Sequence, residues 1–259
     1  MTEPSESLAE SSLMSHLLEL RDRLMRASIA IFVAFLPCAY FANDLFQLLA
    51  KPWILEVTRQ GGSMVATGVM TTFTTPFKLA FYVGLFVAMP YVLAQIWGFV
   101  APGLYKHEKR FAVPLLVSSI LLFYAGAAFA YFLIFPVMAG FFTATSPAGV
   151  QMMTDINLYL DFALTMFLAF GVAFETPIAV VLLVMTGIVQ VEKLTEARGY
   201  VIIGIFVVAA FLTPPDALSQ TMLAVPMWLL YEVGVLFARA MIKARRQREA
   251  AEAASAGGG

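Results

Sequence analysis

Residues 111–138, FAVPLLVSSILLFYAGAAFAYFLIFPVM, decide the fold class. They carry no charge, and the charge-free run continues as far as Asp155. A helix of this length reaches about 40 Å at about 1.5 Å per residue, enough to cross the roughly 30 Å hydrocarbon core of a bilayer. Pro114 and Pro136 bracket the run, and Ser146-Pro147-Ala148-Gly149 marks the turn that follows.

The rest of the chain has the same character. Of 259 residues 61% are hydrophobic and 13% charged, with a mean hydropathy of +0.83, whereas soluble domains have roughly 45–50% apolar residues. Six spans are read, at 24–42, 76–101, 111–138, 159–188, 199–212 and 222–238, giving an all-α integral membrane protein with residues 1–248 as one membrane domain. Spans five and six look short, at about 21–26 Å of helix, so they must thin the bilayer or be shielded by partners. Between spans one and two, apolar residues around Leu45, Leu48 and Leu49 predict an interfacial helix ended by Pro52, then a turn at Gly61-Gly62. Leu13, Leu17, Leu20 and Leu24 form one stripe of an amphipathic segment, 12–26, expected to lie on the membrane surface and run into the first span. Glu3, Glu6 and Glu10 precede it, unlike the basic start of a cleavable signal. The Ala-rich stretch 249–259 is expected to be a flexible end.

Basic residues near span ends stay cytoplasmic. Thirteen of the 16 Lys and Arg fall on one side: Arg21, Arg23, Arg26, Lys106, Lys109, Arg110, Lys193, Arg198, Arg239, Lys243, Arg245, Arg246 and Arg248. Only Lys51, Arg59 and Lys78 fall on the other. Both termini are therefore expected in the cytoplasm.

Carboxylates at membrane depth need a reason, because an unpaired charge there costs several kcal/mol. Asp161 and Glu175 are fourteen residues apart, about 1,400° of rotation, so on a continuous helix they share a face to within about 40°, together with Thr165. Pro177 removes a backbone donor and frees the carbonyl of Ala173, which predicts a kink and a wet groove beside Glu175. The same residues also read as a protonated, purely structural Glu175. Glu232 has Arg239 about two turns away. At the cytoplasmic face, Glu19 sits among Arg21, Arg23 and Arg26, and Glu108 among Lys106, Lys109 and Arg110. A carboxylate among cations can hold a guanidinium selectively, yet Glu19 and Arg23 are also an ordinary i,i+4 surface pair.

Other classes lack their signatures. Cys38 is the single cysteine, so no internal disulfide or multi-cysteine zinc site is available. His107-Glu108-Lys109-Arg110 is not a zinc-protease motif, and no P-loop, dinucleotide fingerprint or nucleophile elbow is present. No catalytic residue, metal or cofactor is expected, and a net charge of −1 argues against nucleic acid.

Four segments, His16–Leu24 (HLLELRDRL), Phe99–Arg110 (FVAPGLYKHEKR), Phe170–Pro177 (FGVAFETP) and Leu212–Asp216 (LTPPD), together resemble the TatC family, the multi-span receptors of the twin-arginine protein translocase. The likeness runs from about Ser12 to Arg248. It implies a cytoplasmic-membrane receptor for twin-arginine signal peptides, the core of a translocase that exports folded proteins on the proton motive force. It also implies a glove-like concave arrangement of helices, an oligomeric complex, and single-span partners of the TatA and TatB kind docking at spans five and six. Carried over residue by residue, Glu19 and Glu108 would engage the two arginines, with Arg21, Arg23, Phe99, Leu104, Tyr105, Lys106, His107, Lys109 and Arg110 shaping the site. Pro52, Asp155 and Asp216 on the outer face, and Glu175 in the membrane, would matter for translocation. The inner loop has Glu108-Lys109-Arg110 where Glu-Arg-Arg is expected. From the residues alone, the competing reading is a proton-coupled small-solute transporter using Glu175 and Asp161.

Overall fold

The computed structural model describes residues 4–59, 62–100, 112–145, 153–212 and 217–256. Its elements are α1 (Pro4–Tyr40), α2 (Ala42–Arg59), β1 (Ser63–Val65), α3 (Thr71–Val100), α4 (Ala112–Phe129), a π turn (Ala130–Ile134), α5 (Phe135–Ala144), β2 (Met153–Asp155), α6 (Ile156–Ala173), α7 (Thr176–Met185), α8 (Val191–Glu196), α9 (Arg198–Leu212) and α10 (Ala217–Ala256). Among these residues five stretches are long and apolar enough to cross a membrane: Met14–Tyr40, Thr71–Val100, Val113–Phe142, Ile156–Met185 and Gln220–Gln247. The fifth apolar stretch of the sequence is the 15-residue α9, the short helix expected there. Large side chains such as Leu24, Ile29, Phe132 and Phe211 are exposed along these helices, which suits a chain whose solvent is lipid.

Two expectations give way. Span six is not short: its helix is 40 residues long and runs past Arg239, through the stretch taken for a flexible end, to Ala256. Arg and Lys near a span end keep their charge in water while the stem stays on the helix, and the Ala-rich continuation is a strong helix former. Pro52 does not end α2, which continues to Arg59. The missing N–H at Pro52 is outweighed by a face, Ala50, Trp53 and Val57, that is almost fully buried at helical spacing. The amphipathic segment runs into span one as expected, within the single helix α1, and its Leu17, Leu20 and Leu24 are exposed.

Contacts group the chain into two compact units. The first comprises Met1–Ile120 and Phe142–Leu164. Here α1 and α3 run antiparallel and pack through small residues, Ala27 on one helix and Gly84 and Ala88 on the other. A Cβ on Gly84 would lie 2.8 Å from the Phe35 backbone, so the helices touch main chain to main chain. Helix α2 also packs on α3. Leu79, Leu160 and Leu164 form the core there, beneath Leu45, Phe46 and Leu49. Trp53 packs on Tyr159 with ring centroids 5.1 Å apart, and the Tyr159 hydroxyl donates to the Leu49 carbonyl at 3.0 Å. Strands β1 and β2 pair in parallel, Ser63 with Met153, Met64 with Thr154 and Val65 with Asp155.

The second unit comprises Leu121–Phe141 and Thr165–Gly259. Helix α10 packs on α7, α9 and α8. Close approach again depends on glycine: a Cβ on Gly234 would lie 2.8 Å from Pro177 Cα, and one on Gly126 would collide with the Phe170 carbonyl oxygen. The π turn, closed by Phe135 N–H donating to the Ala130 carbonyl, rotates Phe135 into a fully buried position against Phe167, 4.9 Å away. Gly187, at φ 74°, stops α7.

Candidate functional site

The N-terminal half of α1 and the C-terminal end of α3 meet over a short stretch rich in charge. Arg23 donates through Nε and Nη2 to one oxygen of Glu19, at 2.9 and 2.6 Å, and both side chains are partly exposed. The Arg23 guanidinium lies over Gly98, where a Cβ would collide with Nη1. A side chain at position 98 would push the guanidinium aside. About two turns before Arg23, His16 stacks on Phe99 with centroids 4.2 Å apart and an interplanar angle of 21°. Arg21 points elsewhere and pairs with Asp22 at 2.9 Å. Glu19, Arg23 and Phe99 are thus gathered at one junction, with Glu19 holding a guanidinium through one oxygen. Leu104, Tyr105, Lys106, His107, Glu108, Lys109, Arg110 and Asp216 lie outside the described residues.

The remaining carboxylates divide into local pairs. Asp161 accepts from Lys78 Nζ at 2.6 Å, and Lys78 also reaches Asn157 at 3.2 Å. Glu175 stands in a two-residue turn between α6 and α7, with Pro177 in the first turn of the latter. Glu175 N–H donates to the Val172 carbonyl at 3.0 Å, three residues back, so the helix tightens at this turn beside Pro177, where the sequence predicts a kink. Thr165 is half-buried on α6. Glu232 pairs with Arg198 at 2.6 Å and not with Arg239, which donates to Thr195 Oγ1 at 2.6 Å. The nearest cation in sequence lost to one brought across by the α9–α10 packing.

Asp155 caps α6. One carboxylate oxygen accepts from the backbone of Asn157 at 2.8 Å and Leu158 at 3.2 Å, and the other from Thr67 N–H at 3.0 Å and its hydroxyl. These donors, the Thr67 hydroxyl first, hold its pKa down at about 2. Pro52 lies in the backbone of α2. Sequence reasoning missed Lys78, Thr67, Gly98 and Arg198, because each acts through a partner that is distant in sequence.

Residues 15–226 match the family model of the Sec-independent protein translocase protein TatC. The chain belongs to the TatC family. Relatives named Sec-independent protein translocase protein TatC include one from Azotobacter chroococcum mcd 1, 54% identical over 98% of this chain and 99% of that protein. Another, from Escherichia coli strain K12, is 52% identical over 92% of each. The crystal structure of the twin arginine translocase receptor TatC superposes with a TM-score of 0.78 and 35% identity, covering 87% of this chain and 98% of that one. The TatC fold accounts for the apolar helices: this is a multi-pass membrane protein of a protein translocase family, with a role in transport.

Proposed function

We propose that this chain receives twin-arginine signal peptides and forms the core of a translocase that moves folded proteins across the cytoplasmic membrane on the proton motive force. The observation that carries the reading is the α1–α3 junction, where Glu19 already binds a guanidinium, that of Arg23, beside the Phe99 ring. A signal-peptide arginine offers the same planar donor, and lysine does not reproduce it. Glu19 takes one arginine and Glu108 the other, while Arg21, Arg23, Phe99, Leu104, Tyr105, Lys106, His107, Lys109 and Arg110 shape the site. The positive-inside distribution of charge supports placing this face, and both termini, in the cytoplasm. TatA- and TatB-type subunits dock on the short α9 and on α10 within an oligomeric complex, where exposed Ile203 and Phe211 offer an apolar face. Asp155 serves by capping α6 and tying it to Thr67. Pro52 and Asp216 contribute on the outer face, and Glu175 with Thr165 provides polarity within the membrane.

The test is binding of a labelled signal peptide carrying Arg-Arg or Lys-Lys to the purified chain and to its Glu19→Ala and Glu108→Ala variants. Arg-Arg binding that falls with either carboxylate, and with the lysine peptide, supports the receptor reading. Equal binding of both peptides overturns it. The transporter alternative gains no support from Asp161, whose carboxylate is held by Lys78.

A further inference from the structure

We infer that the groove between α8 and the C-terminal part of α10 is a binding site for the headgroup of an anionic phospholipid. Arg239, Lys243 and Arg246 follow one another at spacings of four and three residues, so they form one stripe along α10. All three line a groove of about 470 Å³, with Val191 and Glu192 of α8 opposite and Ile242 within it. Arg239 is already turned towards α8 by its bond to Thr195. Lys243 and Arg246 are exposed, and among the described residues neither has an ion-pair partner. Among the described residues Glu192 is the one carboxylate in the lining, against three cations.

Position selects the ligand. The apolar stretch Gln220–Gln247 ends at this stripe, so the cations stand where the hydrocarbon meets the headgroups. Buried Val191 and half-buried Ile242 give the groove an apolar floor beneath the charges. A phosphate with a glycerol backbone and acyl chains matches both parts, whereas a free anion uses only the cations. Basic grooves between helices at this depth hold anionic headgroups, each Lys or Arg there contributing about fivefold in affinity. The site does not depend on the receptor reading, because it uses different residues.

The full-length chain is purified in detergent and placed in nanodiscs of phosphatidylcholine alone or with phosphatidylglycerol. Native mass spectrometry then counts retained phosphatidylglycerol. The double variant Lys243→Gln/Arg246→Gln is compared with Lys193→Gln/Arg245→Gln, which removes equal charge outside the groove. The expected result is roughly ten- to thirtyfold weaker retention in the first variant and little change in the second. Equal loss in both overturns the proposal in favour of diffuse surface charge, as does retention that neither variant alters. Inorganic phosphate at millimolar concentration, added to the lipid-free chain, is the third arm. Protection against thermal unfolding that vanishes in the first variant would reassign the groove to a free anion and overturn the lipid reading.

Discussion

Replacing Gly84 by alanine tests the closest helix contact in the first unit. The added Cβ would sit 2.8 Å from both Cα and N of Phe35 and 3.2 Å from the Ala34 carbonyl carbon, all main-chain atoms that no rotamer change can move aside. Non-bonded carbons rest at roughly 3.5–4.0 Å, so α1 and α3 must part by about 1 Å, which forfeits a quarter to a half of each dispersion contact along the seam. Overpacking of this kind costs about 1–3 kcal/mol, against which alanine returns up to about 1 kcal/mol of helix propensity. The expected net loss is about 1–2 kcal/mol, or about 2–8 °C in Tm for a chain of this size. Gly204→Ala is the control, since nothing lies within 4 Å of its Cβ, and it should leave Tm unchanged or slightly raised. Thermal unfolding in a mild detergent, followed by circular dichroism, reads both. The junction should suffer as well, because the same seam seats Arg23 on Gly98 and His16 on Phe99. If Gly84→Ala melts with or above the parent, main-chain contact between α1 and α3 is refuted.

Glu19→Gln should weaken an Arg-Arg signal peptide by roughly ten- to a hundredfold, the value of a hydrogen bond to a charged group of about 1.5–3 kcal/mol. Arg23→Gln removes a partly exposed i,i+4 pair of about 0.3–0.5 kcal/mol and should shift affinity by no more than about threefold; fluorescence anisotropy of the labelled peptide separates the two. Asp155 has its pKa lowered to about 2 from an ordinary 3.8, so its stabilisation is complete above about pH 4 and is lost as pH falls through 2. Melting temperatures of the parent and Asp155→Asn should therefore differ at pH 5 and converge towards pH 2; a constant difference would disprove the linkage. A double-mutant cycle should show coupling between Glu232 and Arg198 and none between Glu232 and Arg239, with Glu232→Gln alone costing about 1–3 kcal/mol in chemical unfolding.

Helix existence was legible because bilayer thickness imposes a length on every apolar run, and residues 111–138 announce it without help from neighbours. Ends were less legible. Arg239 reads as the end of a span, but a long side chain can keep its charge in water while its backbone continues in a helix to Ala256. Pro52 reads as a stop, but the burial of Trp53 and Val57 beyond it is a tertiary fact. Strands β1 and β2 are three residues each, too short for any alternation to register. The Glu19–Arg23 pair was visible as i,i+4 spacing, whereas Lys78–Asp161 joins residues 83 apart and depends on α3 lying beside α6. Charge counting placed Lys78 on a side without showing that it had a partner.

The β1–β2 ladder also sets an order of events during synthesis. Val65 cannot meet Asp155 until ninety further residues have left the ribosome, two of the apolar stretches among them. The α1–α3 seam needs no residue beyond Val100 and can close while the later helices are still being made. Until β2 arrives, Thr67 lacks the carboxylate that fastens it. A chain stalled or truncated between Ala112 and Met153 should therefore carry a settled first helix pair beside an unfastened loop, and a protease added from the loop's side would cut near Thr67 only in that interval. The three-residue ladder thus serves as a timestamp of insertion, recording that the first half of the polypeptide has been joined by the start of the second.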